Sequence, residues 1–161
     1  MRTKHTVAGT VELTFIQDTA FRDSIRLDIS AANRDLGQGE WKGATVLAGA
    51  AVEALLLWAV QEHEQCNPGS IATASAALVA AATLQQPPNG NPVRRDLHEY
   101  VEVARRLQII EEETAIQVRQ APSFRNLIRP GRAARLGQKC DRGTALSALA
   151  AVEFVVRDLT P

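Results

Sequence analysis

The sequence predicts an all-α protein, a bundle of four to five helices. Alanine, the residue with the highest helix propensity, occurs 26 times among the 161 residues, whereas aromatic residues make up only 4%. Apolar residues recur every three to four positions over long stretches, as they do on the buried face of an amphipathic helix. Runs of β-branched residues are short. Together these observations favour helices over a sheet.

Length and composition indicate one globular domain that covers residues 1–161. A chain of this length buries enough surface to fold without a metal or a disulfide. The 18 Lys and Arg residues are balanced by 18 Asp and Glu residues, so the net charge by itself indicates neither a nucleic-acid nor a membrane partner.

Cys66 and Cys140 belong to no CxxC or Cys/His cluster, and we expect reduced thiols and no cofactor. Because no secretory leader is visible, we expect a cytoplasmic protein.

The first two helices are predicted on either side of the GQG at residues 37–39, because glycine commonly ends a helix. Apolar residues over 15–36 follow a helical spacing. A second helix runs from about Glu40 to Glu64, and over residues 43–60 its only charge is Glu53. We expect a bundle helix buried on all sides rather than a membrane span, because the stretch is rich in Ala and Gly and a mid-helix carboxylate is costly in lipid.

Two segments are expected to be the least regular, an N-terminal arm over residues 1–14 and a loop over residues 85–95. The loop contains QQPPNGNP, in which two prolines precede Asn-Gly and a third proline. Residues 71–84, which precede the loop, are compatible with a helix but hold few large apolar groups to anchor one. The sequence leaves open whether they form a short helix across the bundle or an irregular connection.

Three further helices are predicted after the loop. Asp96 caps the third helix, and Glu111–Glu113 match the positive N-terminal end of the fourth. Pro122 is expected to kink or restart the fourth helix. A last helix runs from Thr144 to about Leu159. Its expected buried stripe consists of Leu146, Leu149, Val152, Val156 and Leu159.

One segment near the C-terminus breaks the even distribution of charge. Residues 119–142 carry a net charge of +6 over 24 residues, within a neutral chain. The cations are Arg119, Arg125, Arg129, Arg132, Arg135, Lys139 and Arg142. Arginine offers planar, paired donors that match phosphate oxygens, so this basic segment indicates a phosphate-binding surface. The alternative is a solvated basic face at helix ends, where cations balance the negative end of the helix dipole.

Within the basic segment, residues 123–132 read SFRNLIRPGR and resemble the C-terminal motif of HEPN-type helical domains. That motif joins an Arg to a polar residue, often Asn, and then to a His, as in RN-L-I-H-P-G. The likeness covers about residues 15–65, which include Glu53, and about residues 95–160. It implies a helical bundle, often a homodimer, whose paired Arg-Asn segments form a cleft that binds RNA. HEPN domains occur in prokaryotic toxin, antitoxin and defence-associated proteins, and many are metal-independent ribonucleases.

The resemblance assigns Arg125 and Asn126 to the Arg and polar positions of the motif, and Pro130 and Gly131 to its flanking positions. Arg129 holds the position of the catalytic His. Cleavage of RNA through its own 2′-hydroxyl needs a group that exchanges a proton near neutral pH, and a guanidinium with a pKa above about 12 does not. We therefore expect a degenerate catalytic site that binds RNA without cutting it. The further phosphate-binding residues are expected to be Arg119, Arg132, Arg135 and Lys139.

Supporting roles are expected for Glu53 and His98. A carboxylate in an apolar helix needs a partner, because burying it alone costs several kcal/mol, and Arg125 or a backbone donor is the expected one. Direct participation of Glu53 in the site, or its exposure at an oligomer edge, are the alternatives. Asn126 either contacts RNA or caps the kinked helix. His98 is expected at the surface, yet it is the first candidate to replace the missing histidine, because its helix leads directly into the fourth.

The sequence supports three hypotheses about function. The first is a HEPN-like RNA-binding domain with an inactive ribonuclease site. The second is a non-catalytic helical dimerisation or interaction module, antitoxin-like or a scaffold, in which the basic segment binds Glu53 or Glu111–Glu113 between protomers. The third is an active ribonuclease that uses a relocated histidine such as His98. None of them calls for a metal, another cofactor or a membrane.

Overall fold

The computed structural model describes residues 12–86, 96–121, 127, 131, 137 and 139–161. These residues form helices and connecting turns, with no β-strand among them, as the sequence predicts. The helices are α1 (Thr19–Gln38), α2 (Trp41–Cys66), α3 (Ser70–Ala80), α4 (Leu97–Arg106), α5 (Glu112–Gln120) and α6 (Arg142–Leu159).

Helix α2 is the centre of the bundle and packs against α1, α4 and α6. Leu55 and Leu56 are fully buried, and small residues such as Ala48 and Ala51 let the neighbouring helices approach closely. The helix is long and apolar enough to cross a membrane, but 56% of its most apolar window is buried inside the protein. The expectation that α2 is buried on all sides is wrong for one face, where residues such as Trp58 are only half-buried.

Helix α1 begins later than the sequence predicts. Its N-cap is Asp18, whose carboxylate accepts a hydrogen bond from the Phe21 backbone N–H at 3.0 Å. Leu13 and Ile16 precede the helix and are both buried in the core. The expected arm therefore joins the core at Leu13, before residue 14, while residues 1–11 lie outside the described residues. Gly39 ends α1 with a φ of +80°, as expected for a glycine at a helix terminus.

Residues 70–80 form a helix, which answers the question that the sequence left open. The Glu64 carboxylate caps α3 by accepting hydrogen bonds from the backbone N–H groups of Gly69 and Ile71 and from the Ser70 hydroxyl. These bonds hold the pKa of Glu64 below its usual value, the Ile71 bond contributing most. Of the predicted loop, residues 85 and 86 are irregular, and residues 87–95 lie outside the described residues.

The stripe expected for α6 is buried at Val152 and Val156 and partly buried at Leu149 and Leu159. It is wrong at Leu146, which is 42% exposed. The buried face of the helix is instead made mainly of Ala and Val, and it packs against the equally Ala-rich α2. Small side chains on both helices shorten the distance between the two axes, so the contact turns toward the alanines and away from Leu146. The buried residues of α6 are Ala145, Ala148, Ala151, Val152, Val155 and Val156.

Candidate functional site

The structure describes four of the residues that the sequence assigns to the site, namely Arg119, Lys139, Glu53 and His98. The others lie outside the described residues. These are Arg125, Asn126, Arg129, Arg132 and Arg135, together with the predicted break at Pro122 and the flanking Pro130.

The two ends of the basic segment lie in helices of the bundle. It begins at Arg119 in α5 and ends at Arg142 in α6, two helices that pack against each other. Leu127, in the middle of the segment, is helical and only 2% exposed. Near the other end Lys139 is exposed, and its backbone carbonyl accepts a hydrogen bond from the Thr144 hydroxyl at 3.2 Å. Both ends of the basic segment are therefore held by packed helices.

An ion pair between a buried carboxylate and a partly exposed guanidinium joins α4 to α5. Glu102 lies among the apolar residues of α4, and its side chain is 7% exposed. Arg119 donates from Nε to Oε1 at 2.8 Å and from Nη2 to Oε2 at 3.2 Å. This paired geometry gives the buried carboxylate the partner that its loss of water requires. The hydrogen bonds from Arg119 to Glu102, reinforced by those to Glu112, raise the pKa of Arg119 despite its partial burial.

A second carboxylate, Glu112, receives donors from both α4 and α5. Arg105 Nε and Arg119 Nη1 both donate to it, the latter at 3.1 Å. The bond from Arg105, followed by that from Arg119, lowers the pKa of Glu112. Glu112 stands in the first turn of α5 and its side chain is 50% exposed. Arg119 is thus bound by one buried and one exposed carboxylate.

His98 lies four residues before Glu102 in α4, near the carboxylate that Arg119 binds. Its Nδ1 is 3.8 Å from Glu102 Oε1, too far for a hydrogen bond, and its side chain is 56% exposed. A cavity of about 230 Å³ opens here, lined by His98 and Arg119 and by apolar residues of α4 and α5. The structure therefore brings His98, Glu102 and Arg119 together.

Glu102 is a site residue that the charge pattern and the motif do not indicate. The signal was present in HEYVEVAR, because Glu102 follows His98 by four residues and stands between Val101 and Val103. On a helix, residues four apart share a face, so this pair was visible as a possible contact.

Glu53 is half-buried in α2 and takes part in an interaction. Its expected partner, Arg125, lies outside the described residues.

The acidic triplet Glu111–Glu113 is bonded within its own chain. The Glu111 backbone N–H donates to Asp158 at 2.9 Å, and Arg157 donates to Glu113 at 3.2 Å. Burial would raise the pKa of Asp158, but hydrogen bonds from Thr114, Glu111 and Arg157 outweigh it and lower the pKa. These contacts fasten the start of α5 to the end of α6.

Comparison with known proteins identifies no relative, since no family model, no curated protein and no solved structure matches this chain. Among the described residues, no group of His, Cys, Asp and Glu is arranged to hold a metal ion. The candidate site is therefore defined by two features of the chain itself. These are the charge of the basic segment and the network of Glu102, Arg119, Glu112, Arg105 and His98.

Proposed function

We propose that the protein is a HEPN-like, cytoplasmic RNA-binding domain that binds RNA through the basic segment and does not cleave it. The observation that carries the proposal is the net charge of +6 over 24 residues of an otherwise neutral chain. Lysine and arginine side chains that neutralise phosphates release the counterions condensed on nucleic acid, and this release drives binding. RNA is the polyanion that the resemblance of SFRNLIRPGR to the HEPN motif indicates.

The described parts of the fold support this proposal. The basic segment begins in α5 and ends in α6, two helices that pack against each other, so both of its ends belong to the bundle. The all-helical architecture is also the one expected of a HEPN-like domain.

The absence of cleavage follows from the chemistry of Arg129. A guanidinium binds phosphate and stabilises charge that develops on it, but it does not take up the 2′-hydroxyl proton near neutral pH. Arg129→His places an imidazole at the motif position, and we expect this variant to cleave RNA in the presence of EDTA. Arg132→His, which adds an imidazole three positions away, is the matched control and stays inactive.

We propose further that the protein acts as a homodimer in a toxin–antitoxin or defence setting, with the two basic segments facing a shared cleft. The interaction-module hypothesis needs an acidic partner for the basic segment, which Glu53 or Glu111–Glu113 would supply between protomers. Light scattering at low and high salt, with and without RNA, separates the two hypotheses. A salt-labile dimer with no affinity for RNA favours the interaction module.

The direct test of RNA binding is the double variant Arg125→Ala/Arg129→Ala. Fluorescence anisotropy with a labelled single-stranded RNA is expected to show a loss of affinity of about tenfold or more, because two phosphate contacts disappear. The control is Arg26→Ala/Arg34→Ala, which removes the same charge from α1. Equal affinities of the two double variants contradict the proposal.

The grouping of His98, Glu102 and Arg119 favours a second candidate, a metal-independent ribonuclease with a relocated base. His98 is exposed at a cavity edge, and Arg119 beside it can stabilise charge on a phosphate. This candidate predicts RNA cleavage in EDTA that His98→Ala abolishes. His63→Ala, which removes the histidine in the last turn of α2, should leave cleavage unchanged.

A further inference from the structure

Three arginines surround one cavity between α3, α4 and α5. The cavity has a volume of about 360 Å³ and is lined by Arg105, Arg106 and Arg119, with the carboxylates of Glu102 and Glu112. Glu102 is buried and already paired with Arg119, so Glu112 is the exposed carboxylate of the cavity lining. The lining therefore carries one more positive than negative charge while Glu112 is present.

The Arg119 guanidinium that donates to Glu112 is held in place by Glu102. Glu102 binds two nitrogens of Arg119 and so fixes the plane of its guanidinium. The third nitrogen, Nη1, and Arg105 Nε then converge on the Glu112 carboxylate from two different helices. Preorganised donors of this kind, converging on oxygen atoms of one anion, also match a phosphate group.

Arg106 adds a positive charge that Glu112 does not use. It is exposed, lines the same cavity, and has no carboxylate partner within the part of the chain that the structure describes. It also borders an adjoining cavity of about 610 Å³ next to the start of α3. An anion larger and more highly charged than a carboxylate would engage all three arginines.

We propose that this cavity binds the terminal phosphate of an RNA strand and that Glu112 occupies the same donors when no RNA is bound. The proposal rests on the proposed function, because Arg119 is both the first cation of the basic segment and part of the cavity. Exposed ion pairs contribute little stability, so Glu112 gives way at small cost. A terminal phosphate carries a charge between −1 and −2 near neutral pH, whereas an internal phosphodiester carries only one. The basic segment would then bind the strand that leads away from that end.

The first experiment compares one short single-stranded RNA in three forms, with a 5′-phosphate, a 3′-phosphate or hydroxyls at both ends. For the wild-type protein we expect one phosphorylated form to bind about five- to tenfold more tightly than the hydroxyl form, given charge-assisted hydrogen bonds at a partly exposed site. The form that gains shows which end enters the cavity. Equal affinities for all three forms overturn the cavity proposal and leave the proposed function intact.

Two charge-matched pairs of variants test whether the preference for phosphorylated RNA over hydroxyl-ended RNA arises in the cavity. Glu112→Gln removes the competing charge and should strengthen the preference by about three- to fivefold, whereas Glu113→Gln makes the same change one residue away, beside Arg157, and should not. Arg106→Gln should abolish the preference, and Arg34→Gln on α1 should keep it. If Glu112→Gln and Glu113→Gln behave alike, the role of Glu112 is refuted.

If no RNA binds, the proposed function fails, and the cavity is tested separately. Inorganic pyrophosphate is titrated into wild-type protein and Arg106→Gln and followed by ³¹P NMR. Binding to the wild type that Arg106→Gln weakens supports the phosphate site. Absence of binding, or binding that Arg106→Gln leaves unchanged, overturns it.

Discussion

Arg119→Met removes the partner of a buried carboxylate while keeping a side chain of similar length. The structure shows two hydrogen bonds from Arg119 to Glu102, at 2.8 and 3.2 Å, and a Glu102 side chain that is 7% exposed. Breaking a fully buried pair from one side costs about 3–5 kcal/mol. Because the Arg119 side chain is 35% exposed, water reaches the vacated space, and we expect a loss of about 2–3 kcal/mol in the free energy of unfolding.

The assay is urea unfolding followed by circular dichroism at 222 nm. Adding Glu102→Gln to Arg119→Met should recover at least about 1 kcal/mol, since a neutral amide is less costly to bury than a bare carboxylate. Arg105→Met is the control, because Arg105 also binds Glu112 but has an exposed side chain, and we expect a loss of no more than about 0.5 kcal/mol. Equal losses for Arg119→Met and Arg105→Met would refute the argument that Glu102 needs Arg119.

The remaining predictions concern stability at three other positions. Asp158→Asn should cost about 1–3 kcal/mol, because it weakens the bonds that tie the start of α5 to α6. Since the pKa of Asp158 is lowered on folding, its contribution is fully present above its ordinary pKa of 3.8 and is lost as pH falls further, so the wild type and this variant should converge in acid. Gly39→Ala should cost about 1–2 kcal/mol in thermal unfolding, because its φ of +80° strains any residue with a Cβ. Leu146→Ser should change stability by less than about 0.5 kcal/mol, whereas a core leucine would cost several times more.

Local chemistry explains which parts of the fold the sequence predicted. Asp96 caps α4 in a capping box with Glu99, and Gly39 ends α1. Both signals depend on residues within four positions of each other, so they are readable without the tertiary structure.

Tertiary packing explains where the predictions differed from the structure. The periodicity of α6 predicts an apolar stripe, but it does not show which part of that stripe contacts α2. The two helices approach each other closely, so the alanines are buried and Leu146 is not. Helix α3 likewise depends on Glu64, which caps it from the end of α2. The sequence alone does not predict that the carboxylate of Glu64, five residues before Gly69, caps this helix.

One part of the candidate site could be predicted from the sequence, and the other part depends on tertiary packing. Residues 119–142 stand out from charge alone, because seven cations in a neutral chain need no structure to be noticed. The network around Glu102 and Glu112 did not stand out, since it joins residues of α4 and α5 whose side chains meet only after the helices pack. Arg119 belongs to both features, and only the structure reveals that it is already bound by two carboxylates.

The dependence of RNA affinity on salt concentration tests the central claim most directly. A single-stranded RNA loses affinity with a slope in log K against log salt of about −0.7 for each phosphate that the protein neutralises. We predict a clear negative slope for the wild type that becomes shallower by about 1.4 in Arg125→Ala/Arg129→Ala, because two phosphate contacts are gone. An unchanged slope in the double variant, or a wild-type protein that binds no RNA even at low salt, would contradict the assignment of RNA binding to the basic segment.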